Sequence, residues 1–447
     1  MINSISMQHS GKNHAPLKDQ RPPTRDPLSR SLTSLLLPLA LLIPFLLLPG
    51  CREERDDTAL IWTNRPEFAS YVELYNAHHE KNRIRIEYVE EPGRAFREVG
   101  PGKNAPDIVI GENLNSREML DKFATLNTLF KEDHLKEDQF YTTPLSQGVR
   151  ERQHVLLPVS FLLPVITYSE SSAPEDLSSF FISLSEMRDF SEQFNTEGEH
   201  GLEKLGFSPL WEESMLFTAS LLWGADFRET ERGLPAWDSS AVTETVDFFR
   251  EWIREGNEGL EAAKIFSDKY FYEPSHILQE KGRILFYYHD ISSYFSIPPD
   301  KRRLLDFLWP AEEEKIPVLP PILYMGIPHG APGITAAKEF ISWFFQTETQ
   351  EKLLDASEYK RIRSFGIAGG FSSLRRVNEE ILPKIHPSLV GHIPKESFLK
   401  FPERLPINWT AIEKKVVEPW FVRQVRDPEE DSTLSGEIEK WLRQKPE

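Results

Sequence analysis

A single cysteine, Cys51, stands in a chain of 447 residues. That scarcity excludes a disulfide framework and a cysteine-built metal site. Positive charge is the second shortage: 52 Lys and Arg face 70 Asp and Glu, a balance of −18. A surface of that sign repels phosphate backbones and anionic lipid headgroups, so no nucleic-acid partner is expected. Catalytic signatures are also missing. The chain has no Gly-x-Ser-x-Gly elbow, no His-Glu-x-x-His pair and no glycine-rich phosphate loop. No enzyme activity, metal or cofactor is expected. Long apolar runs are absent too, with one exception near the N-terminus.

That exception carries the first positive signal. The first thirty residues are basic at Lys12, Lys18, Arg21, Arg25 and Arg30, and Leu32 to Pro49 then carries no charge. A basic leader, an apolar stretch and a small residue before a cut are the parts of a secretory signal. Leu48-Pro49-Gly50-Cys51 resembles a bacterial lipoprotein lipobox, which implies cleavage after residue 50 and lipid (palmitate among its acyl chains) on Cys51. An uncut membrane anchor is the alternative, since a span needs ~20 apolar residues. Pro38 and Pro44 break the run and favour the cleaved signal. Residues 51–58 then read as a charged tether. The leader holds five basic and two acidic side chains, so the remaining 397 residues carry about −21. Such a chain reaches a membrane through its lipid, and firm anchoring needs more than one acyl chain.

Beyond the tether the periodicity is α/β. Ala59-Leu60-Ile61-Trp62 suits a buried strand, and Phe68, Tyr71, Val72 and Tyr75 follow at helical spacing. Ile84, Ile86 and Tyr88 alternate with charged residues, and Ile108-Val109-Ile110 forms a continuous apolar run. Strand, helix, strand and buried strand predict a parallel sheet covered by helices. Val155–Pro158, Pro164–Tyr168 and Gly282–Tyr288 read as further strands or crossovers. Val242, Val246, Phe249 and Ile253 mark a helix ended by Gly256, and Ala337, Phe340, Ile341 and Phe344 mark another. A helix over 409–425 is expected to kink near Pro419.

The order of these blocks resembles the extracellular solute-binding proteins that serve ABC transporters, in their sugar-carrying, maltose-binding-protein-like branch. The blocks are Ile61-Trp62, Pro106-Asp107-Ile108-Val109, Leu157-Pro158 with Val165–Tyr168, Leu222–Asp226, Lys281–Phe286, and Met325-Gly326-Ile327 leading into 336–353. The resemblance implies a two-lobed periplasmic-binding-protein fold, each lobe a mainly parallel sheet flanked by helices, with a ligand cleft between. It assigns residues 59–165 with 291–345 to the first lobe, and 166–290 with 346–447 to the second. It also implies capture of a solute, a sugar or oligosaccharide, by hinge closure, and delivery to a membrane permease. The protein is then expected as an exported, lipid-anchored monomer facing the periplasm or the cell exterior.

A sugar offers apolar C–H faces and pairs of hydroxyls, matched by aromatic slabs beside planar polar groups. Strand ends supply the first candidates: Trp62, Asn64, Arg65 and Glu67 after the first strand, Glu112 and Asn113 after the third. Tyr168 ends the first crossing, and Gly326 lies in the Gly-Ile strand. Trp223 with Asp226, and Trp409 at the start of the late helix, are the aromatic candidates. Tyr288 and Asp290 belong to Tyr287-Tyr288-His289-Asp290, which also admits an Fe(III) reading. Two other functions stay open: an exported glycoside hydrolase, which needs two carboxyls ~5–9 Å apart, and a ligand-sensing scaffold without transport.

Overall fold

The computed structural model describes residues 58–100, 105–132, 134–178, 180–360 and 363–444. The leader, Cys51 and most of the tether lie outside the described residues. Among the described residues, no helix is long and apolar enough to cross a membrane.

The strands of the two main sheets are, in chain order, β1 (Ala59–Thr63), β2 (Ile84–Tyr88), β3 (Ile108–Glu112), β4 (Leu156–Leu162), β5 (Pro164–Ser169), β6 (Phe181–Ile182), β7 (Phe286–Asp290), β8 (Leu305–Pro310), β9 (Leu319–Gly326) and β10 (Phe371–Ser372). The first sheet runs β10-β4-β9-β3-β1-β2 and the second β7-β5-β8-β6. In the first, β1 pairs parallel with both β2 and β3, as the strand–helix–strand pattern predicts. The helix between them, Glu67–His78, buries Phe68, Tyr71, Val72 and Tyr75, the four residues at helical spacing. Ile108, Val109 and Ile110 are fully buried, as a run covered on both faces requires.

Parallel pairing does not extend through the sheets. β9 runs antiparallel to β3 and β4, and β7 and β8 run antiparallel to β5. β9 follows β8 of the second sheet rather than a local helical crossover within its own sheet, so nothing imposes on it the direction of β1 to β3. The chain passes between the sheets at Leu163, where β4 ends and β5 begins, and the Ile291 N–H donates to the Leu163 carbonyl at the return (2.9 Å).

Two large cores form. The second sheet divides its alternating side chains between them: Val165, Leu305, Phe307 and Trp309 join the first, whereas Ile166, Tyr168, Phe286, Tyr288 and Leu308 join the second. A smaller third cluster gathers Leu202, Phe266, Leu278 and Tyr287. The expected grouping of 346–447 with the second lobe does not describe this packing. Leu353, Phe365, Phe371, Ile381 and Leu389 bury themselves in the first core, and only from Leu405 onward does the chain join the second. The segment docks through β10, which pairs antiparallel with β4, and through these apolar side chains, while Lys360 adds an exposed pair with Glu73 (2.8 Å) of the helix Glu67–His78.

The late helix is interrupted as expected near Pro419, but by a change of helix type. Trp409–Ile412 is α-helical, Glu413–Val417 forms a wider π turn, and Glu418–Arg426 resumes the α-helix. A π turn before proline absorbs the lost amide and re-aims the side chains on either side.

Candidate functional site

Three parallel strands end at one edge of the first sheet, and their following loops make one wall of a cleft. Asn64 and Arg65 follow β1, Glu90 and Glu91 lead from β2 to the helix Pro92–Val99, and Glu112 and Asn113 close β3. The facing wall is built mainly on the second core: Ser214, Phe217 and Thr218, then Tyr288 to Asp290, then Asn408 to Lys414, led by Ile407, which packs against the first core.

Two compartments lie between these walls. The outer one, of about 470 Å³, has Asn64, Glu90, Glu91, Gly93, Arg94, Arg97 and Asn113 on one side, and Ile407, Asn408, Ala411 and Leu442 on the other. The inner one, of about 370 Å³, is lined by Arg65, Leu162, Glu212, Tyr288, His289, Asp290, Ser293, Glu413 and Lys414 among others. Glu112 and Thr410 border both.

That shared border is a bridge between the walls. Arg65 Nη2 donates to Glu112 Oε1 at 2.6 Å, and Thr410 Oγ1 donates to Glu112 Oε2 at 2.9 Å. Asn113 Nδ2 donates in turn to Thr410 Oγ1 at 3.1 Å. Asn113 holds the bond from a left-handed backbone (φ 54°), a conformation asparagine tolerates better than most residues. A second link joins the Arg117 amide to Glu229 Oε2 (2.8 Å). Packing is also tight at Gly93, where an added Cβ would meet Ile407 Cδ1 and Leu114 Cδ2 at 2.9 Å.

Burial sets the electrostatics of the inner compartment. Glu413 is 4% exposed and accepts from Trp409 Nε1 (2.8 Å); burial pushes its carboxyl up to about 8, against the pull of Lys414. Lys414 binds Glu418 (2.7 Å) and lies 3.6 Å from Glu413. Burial likewise pushes His289 down to about 4, so its imidazole is neutral near pH 7, and its enclosed Nε2 has no hydrogen-bond partner. The buried Tyr288 phenol is pushed well above its ordinary range and shares a 2.7 Å hydrogen bond with Thr218.

Of the candidates read from the sequence, Asn64, Arg65, Glu112, Asn113, Tyr288 and Asp290 line these compartments. The others lie elsewhere. Trp62 is buried in the first core with its indole N–H on Glu87 (2.9 Å). Glu67 accepts from Ser364 Oγ (2.6 Å), outside both compartments. Tyr168 is in the second core, donating to Asp306 (3.2 Å). Trp223 packs edge-on against Phe248 (4.8 Å), and Asp226 pairs with Lys400 (2.7 Å) at a separate small cavity. Gly326 has no free space: a Cβ there would meet Leu156 and Phe123 at 2.5 and 2.7 Å. Trp409 is fully buried beside Phe227 and Phe217 (5.1 and 6.2 Å) and presents no face to the cleft. The two tyrosines of the Fe(III) reading diverge, Tyr287 toward the third cluster and Glu212, Tyr288 toward Thr218.

No protein-family model and no curated protein matches this chain. Solved structures do. An ABC substrate-binding protein from Listeria monocytogenes in complex with cycloalternan aligns over 86% of this chain and 96% of its own, with TM-score 0.59 and 12% identity. The sugar-binding protein MalE from the phytopathogen Xanthomonas citri gives TM-score 0.62 at 13% identity, covering 86% and 95%. The cyclic alpha-maltosyl-1,6-maltose binding protein from Arthrobacter globiformis gives 0.58 at 15%, covering 86% and 96%. The chain has the two-lobed fold of the ABC substrate-binding proteins.

In this substrate-binding-protein fold, sequence reasoning missed several lining residues: Gly93, Glu212, Thr218, Thr410 and Glu413. Thr410 had a readable signal once Trp409 is known to be core. A helix starting at 409 that buries a tryptophan turns the next residue by about 100°, which brings Thr410 toward the cleft. Glu212 and Thr218 carried none, since their register depends on how the helix Glu213–Leu222 docks.

Proposed function

We propose that this protein is a lipid-anchored, extracytoplasmic receptor that captures a sugar or oligosaccharide in the cleft and hands it to an ABC transporter permease. The observation that carries this reading is the pair of polar compartments between two walls joined at Glu112, Asn113 and Thr410. Loop carboxylates, amides and hydroxyls converge there as hydroxyl recognition demands. The carbohydrate assignment draws further support from what the similar structures are named for. Closure needs a solute that makes more contacts when the walls meet than when they part. The lipobox-like Leu48-Pro49-Gly50-Cys51 supports the anchor, the tether and the placement beside a membrane.

Thermal unfolding and calorimetry against monosaccharides, malto-oligosaccharides and cyclic glucans including cycloalternan test the receptor reading. A saturable rise in melting temperature without turnover supports it. Hydrolysis of a glycoside, or no response across the panel, sinks it. For the anchor, Cys51→Ser should release the protein from membranes and leave solute affinity unchanged; continued membrane retention refutes lipidation.

A further inference from the structure

The inner compartment has more carboxylates than cations to balance them. Its two cations are already engaged: Arg65 by Glu112 (2.6 Å), Lys414 by Glu418 (2.7 Å). Glu212 accepts the Tyr287 hydroxyl, and Asp290 accepts the Ser293 amide (3.0 Å) and hydroxyl. Among the described residues, no lysine or arginine forms an ion pair with either. A second, independent feature points the same way. His289 lines this compartment, and its enclosed Nε2 lacks any partner. A neutral imidazole nitrogen there can accept an N–H or donate to a hydroxyl, depending on tautomer.

Stacking contributes little here. The ring-bearing residues on the walls are Phe217, Tyr288 and His289, and the Tyr288 phenol is occupied by Thr218. No aromatic ring lines the outer compartment. Recognition therefore rests on charge and hydrogen bonds, and uronates or phosphorylated sugars would meet unbalanced carboxylates.

Resting on the receptor reading above, we propose that the inner compartment selects a hydroxylated solute bearing a primary ammonium group, such as an amino sugar, with Glu212 and Asp290 as counter-ions and His289 as a hydrogen-bond partner. The net charge near −21 beyond the leader draws such cations toward the protein at low salt.

Calorimetry on the full-length chain compares glucosamine, galactosamine and chitosan oligomers with glucose, galactose and their N-acetylated counterparts. An amine should bind at least about tenfold tighter than its neutral or acetylated twin, an advantage shrinking as salt rises. Glu212→Gln and Asp290→Asn should each erase most of that preference. Gln still accepts from Tyr287 and Asn still caps the helix at 291, so unchanged unfolding midpoints separate lost recognition from lost fold. Equal or tighter binding of the neutral twin overturns the proposal and leaves the receptor reading standing. Silence from every amine overturns it as well, and silence from the neutral sugars too takes the receptor reading with it.

Discussion

The first wall of the cleft is a row of loops at the carboxyl ends of β1, β2 and β3, whereas the second is gathered from residues 212–218, 288–290 and 407–414. Along the first wall, side chains near one another in space follow strands near one another in sequence. Along the second, neighbours in the cleft lie up to about two hundred residues apart in the chain. Cleft-lining groups on the first wall can therefore be read from strand endings. Those on the second are chosen by packing, and the packing takes the large aromatics for itself.

Trp409 sharpens that contrast most. Replacing it with Ala should cost about 3–5 kcal/mol by denaturant unfolding, the range for deleting a buried aromatic. Asn113→Ala on the opposite wall should cost less, about 1–3 kcal/mol, from its lost hydrogen bond and its left-handed backbone. A mild Trp409→Ala with selective loss of binding would reverse the assignment.

Glu413 gives the next largest effect. Its folded carboxyl titrates near 8, above the ordinary carboxylate range. Below the ordinary value both states hold the proton and the shift costs nothing. Between that value and 8 the unfolded chain loses its proton while the fold retains it, so stability falls as pH rises. Glu413→Gln, which keeps an acceptor for Trp409, should stabilise the protein by roughly 2–3 kcal/mol at pH 8. The gain should vanish near pH 4, and a pH-independent gain would refute the buried-acid account.

Gly93→Ala acts where the walls touch. Its Cβ would lie 2.9 Å from Ile407 Cδ1 and Leu114 Cδ2, side-chain ends that can shift, so the cost should stay near the lower end of the ~1–3 kcal/mol range for overpacking. Because Ile407 leads into Asn408–Lys414 of the other wall, we expect weakened solute binding and a larger radius of gyration in small-angle scattering. An unchanged radius with unchanged affinity would show that the contact relaxes locally.

Thr410→Val is the gentlest probe. It removes the hydroxyl between Glu112 and Asn113 at nearly constant volume, for about 1 kcal/mol. Solute-free molecules should open more readily, seen as faster association in stopped-flow fluorescence. An unchanged rate would show that the bridge does not hold the walls together.

Legibility followed the same division. β1, the helix Glu67–His78 and β3 were readable because apolar spacing and burial agree within a few residues. Asn64, Arg65, Glu112 and Asn113 came with them. Trp62 did not, because a side chain within β1 goes to whichever face its register dictates, and Trp62 sits opposite Glu87 across β1 and β2. The segment 346–399 was misplaced because its helices carry no mark of which core they enter. That choice was made by the pairing of β10 with β4 and by the apolar side chains that the segment brings into the first core.

The sequence by itself determined the α/β class, the parallel start of the first sheet, the strand-end wall and the acidic field, since each depends on residue type and local spacing. Only the tertiary structure decided that Trp409 is core while Thr410 and Glu413 border the cleft. It also decided that Glu212 and Asp290 line one compartment, and that residues 346–399 belong with the first core. These depend on contacts between segments far apart in the chain, where the burial of one side chain is settled by the shape of another.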